Sequence, residues 1–267
     1  MASLLQHLVN NYTEVLQNLK DPLMDTWPLM GSSYPILYII VTYLIFAIKF
    51  GPKMMEQRPA FDLKTAMIFY NGFQVVLSIW LTFLLLDLNI RLFSFHGCND
   101  VYRLSLSQRR YIPIAMSRCG WWYFFAKITE LLDTVFMVLR KKQNQLTFLH
   151  IYHHTATVFI SWCFLKLLPG EQGPVIAFLN TVVHIIMYSY YFIAALGSKY
   201  KKYIWWKKYM TYIQLTHFGM LCFYLIATLA LDCRMPKALT YFFLIVFVIF
   251  IYLFSNFFQK TYKTKTA

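Results

Sequence analysis

An all-α membrane protein with seven transmembrane helices is what this sequence predicts, on three observations. Of its 267 residues 59% are hydrophobic and only 13% charged, against ~25% charged in an ordinary soluble domain. Seven apolar runs lie at 34–50, 65–88, 115–139, 146–168, 174–196, 209–231 and 238–258, each near the ~20 residues a helix needs to cross a bilayer. Third, Lys and Arg gather between the runs on alternate sides. The segments after runs one, three, five and seven hold 15 of them and the other set holds 8. By the positive-inside rule the first set and the C-terminus are cytosolic, and the N-terminus is lumenal. The net charge of +14 is thus read as membrane orientation rather than nucleic-acid binding.

Residues 1–33 mix polar and apolar side chains without the compact apolar core of a signal peptide. They are expected to form a lumenal N-terminal segment, with the first run acting as the targeting signal. Residues 34–258 form one seven-helix transmembrane domain, and 259–267 a cytosolic tail. On the lumenal side lie the sequon Asn11-Tyr12-Thr13, a glycosylation acceptor, and Cys98 and Cys233, expected to pair as a disulfide in an oxidising compartment. The five cysteines show no CxxC spacing, so no zinc site is expected.

Four runs carry polar stripes. Run four opens with Leu149-His150-Ile151-Tyr152-His153-His154-Thr155. Its histidines at i, i+3 and i+4 share one helical face, and ionisable groups inside a bilayer mark function by default. Run three carries Lys127, Glu130, Asp133 and Thr134; run five Asn180, His184, Met187, Tyr188 and Tyr191; run six Thr211, Gln214 and His217. Polar residues also join membrane helices by hydrogen bonds, and a single Thr-Gln face needs no other reason. Four stripes, all in the cytosolic half within ~20 Å of that surface at ~1.5 Å per residue, argue for an enclosed site. Lys127 is expected to pair with Glu130 or Asp133, since a lone charge there is unstable.

Two chemistries fit these residues. An HxxHH box occurs in di-iron membrane oxidases and desaturases, and imidazoles with Glu130 and Asp133 suit iron or zinc. Of seven histidines, however, His7 and His96 fall on the lumenal side, which leaves five, only three of them clustered. Without a metal, histidine acts as general base or as an acyl-carrying nucleophile. No cysteine competes, because Cys163 lies nine residues beyond His154. A third reading, a seven-helix transporter or receptor, makes the stripes a proton or ligand path.

In order and spacing the blocks Lys127-x-x-Glu130-x-x-Asp133-Thr134, HIYHH at 150–154, Asn180-x-x-x-His184-x-x-Met187-Tyr188-x-Tyr190-Tyr191 and Thr211-x-x-Gln214 resemble the very-long-chain fatty-acid elongases. These are the 3-ketoacyl-CoA synthases of the endoplasmic reticulum, and the resemblance runs from about Trp27 to the C-terminus. His217 departs from it, standing where a second Gln is usual. The resemblance implies an acyltransferase with six of its seven helices around an acyl-chain tunnel. The reaction joins a long acyl-CoA with malonyl-CoA to give a 3-ketoacyl-CoA, CO2 and CoA. It implies His153 as the acyl-accepting nucleophile, His150 and His154 as its assistants, His184 acting on malonyl-CoA, and Asn180, Tyr188 and the other tyrosines donating to oxyanions. Lys127, Glu130, Asp133 and Gln214 complete the candidate catalytic set. Arg140, Lys141, Lys142, Lys207 and Lys208 flank the cytosolic mouth and suit CoA phosphates, although positive-inside charge alone accounts for most of them.

No tightly bound cofactor and no metal is expected. The expected partners are the endoplasmic-reticulum membrane and the two CoA thioesters, with other enzymes of the elongation cycle and a homodimer as further candidates, and no nucleic acid. The terminal Lys263-Thr264-Lys265-Thr266-Ala267 resembles a KxKxx retrieval signal, which a receptor reads and which anchors nothing.

Overall fold

The computed structural model of the chain describes residues 22–88, 106–167, 173–231 and 237–263. Among the described residues it is all helix, and seven long rods match the seven predicted runs. The first is α1 (Tyr34–Ile45), prolonged through a wide turn at Phe46–Phe50 and a short helix at Gly51–Met55. The others are α2 (Lys64–Leu88), α3 (Leu106–Thr129) with its continuation α4 (Leu132–Leu139), α5 (Phe148–Leu167), α6 (Gly173–Leu196), α7 (Lys207–Ala230) and α8 (Lys237–Phe258). Asn11, Cys98, Cys233, His7, His96 and the tail from residue 264 lie outside the described residues.

Five helices, Tyr34–Met55, Lys64–Asp87, Gly173–Leu196, Lys207–Ala230 and Lys237–Tyr262, are long and apolar enough to cross a membrane, which makes this a multi-pass membrane protein. The rods built on α3 and α5 are the less apolar ones because they carry Lys127, Glu130, Asp133 and the histidine box. Large apolar side chains such as Phe69, Phe83, Phe223 and Tyr252 are exposed, as they would be against lipid. With lipid as apolar as leucine, helix association rests on close packing and interhelical hydrogen bonds rather than on exclusion of water.

Contacts between neighbouring helices run in a closed circuit, α2 to α3, α3 to α5, α5 to α8, α8 to α7, α7 to α6 and α6 back to α2. α1 stands outside the circuit against α5, and Gly51–Met55 packs on α4. That approach requires the glycine, since a Cβ at Gly51 would lie 2.8 Å from Val138 Cγ1. Pro52 follows and has no N–H to donate. The turn before it widens, and Gly51 N–H bonds to the carbonyl of Phe46.

The ends of the rods sort into two sets. At one, here the basic end, Phe61 N–H bonds to Leu139 O at 3.0 Å and Lys141 Nζ donates to Glu56 O at 3.1 Å; Phe258 meets Tyr212 there. At the far end the segment before α1 docks on α3 and α5. Met24 and Met30 are fully buried, Trp121 and Trp162 donate to the carbonyls of Pro28 and Leu29, and Lys166 pairs with Asp25 and Met30 O.

The third run departs from the sequence expectation of one helix over 115–139. It begins at Leu106 and breaks at Glu130–Leu131. At the break Asp133 N–H bonds to Glu130 O at 3.1 Å instead of reaching Thr129. The freed Thr129 carbonyl accepts from Tyr70 OH at 3.3 Å, and Gln74 Nε2 donates to both Tyr70 OH and Thr129 Oγ1. Such breaks are stable where neighbouring side chains re-satisfy the backbone.

Candidate functional site

Lys127 and Glu130, on either side of the last turn of α3, are 1% and 2% exposed, so their charges must be met within the protein. They are met by each other at 2.8 Å. Lys127 Nζ also donates to Asn180 Oδ1 at 2.6 Å, and Glu130 Oε1 lies 3.0 Å from His184 Nδ1. A carboxylate accepts only, so His184 donates from Nδ1, and Nε2 of the neutral ring is left as an acceptor. It faces Lys127 Nζ at 3.5 Å. Tyr123 OH donates to the same Oδ1 of Asn180 at 3.0 Å. Two donors on one oxygen fix the amide's orientation and leave its NH2 as the donor.

The other polar residues attach to this knot or stand beside it. Asp133 is not Lys127's partner; it accepts from Tyr188 OH at 2.7 Å, and the Tyr188 ring lies 5.6 Å from that of His184. His150 Nε2 is 2.8 Å from Thr134 Oγ1, which shares a second 2.8 Å bond with Tyr43 OH. Among the described residues Gln214 Nε2 reaches only Met187 Sδ, at 3.7 Å.

The three box histidines, expected on one face, fan out instead. His150 turns to Thr134 and stacks near His154, ring centres 4.3 Å apart. His153 turns the other way, among the rings of Phe218, Phe250 and Phe254 at 5.1–6.4 Å. The angular arithmetic explains this, because i+3 and i+4 lie on opposite sides of residue i at ~100° per residue. Among the described residues no hydrogen bond joins His153 to another side chain. Glu130 Oε2, His154 Nδ1 and His217 Nε2 are buried without a hydrogen-bond partner among those residues.

His153 lines a cavity of about 100 Å³ inside the circuit of helices. Asn180, His217 and Tyr123 line the same end of it. The remaining wall is largely apolar and descends along α5 through Thr157, Ile160 and Phe164. Asn180 therefore belongs both to the charged knot and to the cavity. Among the described residues no three His, Cys, Asp or Glu side chains are grouped to hold a metal ion. Of the basic residues expected at the mouth, Lys141, Lys142, Lys207 and Lys208 are exposed and Arg140 is half-buried.

Tyr43, Tyr70, Gln74 and Tyr123 take part in the network without having been singled out from the sequence. A signal for three of them is present: Tyr70, Gln74 and Ser78 repeat at i, i+4 and i+8, and Tyr123 precedes Lys127 by four. Tyr43 carries no such mark.

A seven-rod membrane bundle with a His, Glu and Lys knot above an apolar cavity defines a class of lipid-embedded protein with a buried polar centre. Within it the chain belongs to the ELO (GNS1/SUR4) family, whose profile matches residues 28–267. It is 35% identical over 263 residues to a very long chain fatty acid elongase of Aedes aegypti, covering 98% of this chain and 72% of that protein. It is 36% identical to very long chain fatty acid elongase 7 of Drosophila melanogaster, over 95% of this chain and 76% of the other. The human very long chain fatty acid elongase 4 is 38% identical, over 92% of this chain and 77% of the other.

Proposed function

We propose that the protein is the condensing enzyme of fatty-acid elongation, a very-long-chain 3-oxoacyl-CoA synthase. Family membership supports the class, and one observation carries the chemistry. His153, an imidazole with no hydrogen bond to another side chain among the described residues, lines an apolar cavity together with Asn180, which ties the cavity to the Lys127–Glu130–His184 knot.

In the first step a ring nitrogen of His153 attacks the acyl thioester carbonyl. The new C–N bond forms, the C–S bond breaks, and CoA leaves as its thiol with the imidazole proton. In the second step malonyl-CoA loses CO2, and the electron pair of that C–C bond attacks the acyl-imidazole carbonyl. The C–N bond breaks, the imidazole takes up a proton from solvent, and 3-ketoacyl-CoA is released.

Asn180, its Oδ1 taken by Lys127 and Tyr123, presents its NH2 as the donor to the oxyanion of the condensation step. Tyr188 is committed to Asp133, and its role is to position. His184, oriented through Nδ1 by Glu130, acts on the malonyl group or its enolate by donating from Nε2 once that nitrogen has taken up a proton. His150, held by Thr134, and His154 flank the nucleophile. The apolar cavity serves as the tunnel for the acyl chain, and the basic residues of the basic end meet the CoA phosphates.

By the positive-inside count the basic end faces the cytosol and the enzyme resides in the endoplasmic-reticulum membrane. Residues 34–258 are the catalytic domain and the tail its retrieval signal. The Cys98–Cys233 disulfide and Asn11 glycosylation belong to the lumenal side of this reading.

The test is intact mass of purified protein after incubation with acyl-CoA alone, then product analysis after malonyl-CoA is added. An acyl adduct on the wild type, absent from His153→Ala, followed by 3-ketoacyl-CoA, is the expected result. No adduct on folded wild type would overturn the covalent step, and no product from any acyl-CoA would overturn the reading.

A further inference from the structure

We propose that Phe164, seated directly over Gly173, is the floor of the cavity and sets how long an acyl chain the protein accepts. The proposal rests on the elongase reading and deepens it.

The cavity-facing positions of α5 are His153, Thr157, Ile160, Ser161, Phe164 and Leu165, a helical stripe with one polar terminus and one bulky apolar terminus. From His153 to Phe164 it descends eleven residues, about 16 Å at 1.5 Å per residue. At its foot the Phe164 ring stacks on Phe243 of α8, centres 5.1 Å apart and tilted 30°. Phe164 occupies this place only because residue 173, across from it at the start of α6, has no side chain. A Cβ there would lie 2.8 Å from Cε1 and 3.0 Å from Cδ1 of the ring. Leu165 repeats the arrangement on the other side, where a Cβ on Gly120 of α3 would lie 2.8 Å from its Cδ1. Two bulky side chains on neighbouring positions of one helix, each laid over a glycine of a facing helix, close the bottom of the space.

The geometry makes the floor movable in both directions by changes that touch no polar group of the site. A smaller residue at 164 lowers it. A methyl at 173 drives the Phe164 ring upward into the cavity. Because one methylene in an apolar pocket changes discrimination by roughly 10–200-fold, a shift of the floor by a ring's width is readable as a change of preferred chain length.

The experiment uses the full chain in detergent: wild type, Phe164→Leu, Phe164→Ala, Gly173→Ala and the Phe164→Leu/Gly173→Ala pair. Each is given malonyl-CoA and a series of saturated, even-numbered acyl-CoAs, and the acceptor with the highest kcat/KM is read. Thermal stabilisation by the same acyl-CoAs without malonyl-CoA is the second readout. Expected is a shift to acceptors longer by about two carbons in Phe164→Leu and shorter by about two in Gly173→Ala, with the double variant near wild type. Phe164→Leu carries the test if Phe164→Ala does not fold. Folded Phe164→Leu and Gly173→Ala with the wild-type chain-length profile, or shifts of both in the same direction, would overturn the proposal. If wild type yields no 3-ketoacyl-CoA, the functional reading fails, and the stabilisation series alone then decides whether Phe164 limits chain length.

Discussion

His153 lines the cavity, His184 stands in the charged knot joined to it through Asn180, and the two are held in opposite ways. His184 is 6% exposed, its Nδ1 tied to Glu130, its Nε2 facing Lys127, and Lys127 tied in turn to Asn180. His153 is half-buried, and phenyl rings pack around it. The difference matches the tasks proposed for them. A base or oxyanion partner works when its tautomer is fixed before substrate arrives. A nucleophile must exchange a lone pair for a covalent bond, and any hydrogen bond to that lone pair would have to break first.

The largest expected effect separates the two. His153→Ala should lower condensation by on the order of 10⁴-fold or more while leaving the thermal midpoint close to wild type, since among the described residues no side-chain hydrogen bond is lost. His184→Ala should lower condensation by roughly 10²–10⁴-fold and also destabilise, because a Glu130 oxygen is left without one of its donors, at about 1–3 kcal/mol. It should still form the acyl adduct. If His184→Ala failed to acylate, or His153→Ala lost as much stability as His184→Ala, the contrast drawn here would be wrong.

Next in size is the ion pair beneath His184. Glu130→Gln leaves the Lys127 ammonium buried among neutral groups with no carboxylate to balance it, and removing one member of a buried pair typically costs 3–5 kcal/mol. Replacing both, as Lys127→Met with Glu130→Leu, should restore most of that stability and none of the condensation. Denaturation in detergent and product formation, measured on the same preparations, separate the two outcomes. Equal stability of the single and double variants would show that the pair is not what holds this end of α3.

How much of this was legible beforehand follows from which interactions obey a helical period. The seven rods are set by runs of apolar residues, and those are local. The knot was half legible: Lys127 and Glu130 are three apart and announce each other, whereas Asp133, three further on and six from Lys127, goes to Tyr188 on α6. Six residues at ~100° each already set Asp133 about 120° round from Lys127, and the helix also breaks between them at Glu130–Leu131. No glycine or proline marks the break. It exists because Tyr70 and Gln74, more than fifty residues earlier, take over the bonds of Thr129. The fan of the histidine box was hidden for a related reason, since spacing places three residues on one broad face but neighbouring helices decide which way each ring leaves it.

The break supplies the smallest and most selective way to sharpen the comparison. Tyr70→Phe removes the hydroxyl that donates to the Thr129 carbonyl at 3.3 Å and accepts from Gln74 at 3.0 Å. The bond to the carbonyl is long, and Gln74 keeps its contact with Thr129 Oγ1, so the expected loss is about 1 kcal/mol. Without that bond the last turn of α3 can revert toward a continuous helix, in which Asp133 N–H reclaims the Thr129 carbonyl and the Lys127–Glu130 pair rotates against His184 and Asn180. His153, on α5 among rings of α7 and α8, feels none of this. Acylation by acyl-CoA alone should therefore proceed at the wild-type rate, while condensation with malonyl-CoA falls by a few-fold to about tenfold. Rapid-quench measurement of the two half-reactions gives the answer directly. A slowed acylation with condensation unchanged would mean that the break at Glu130–Leu131 serves the nucleophile instead of the knot.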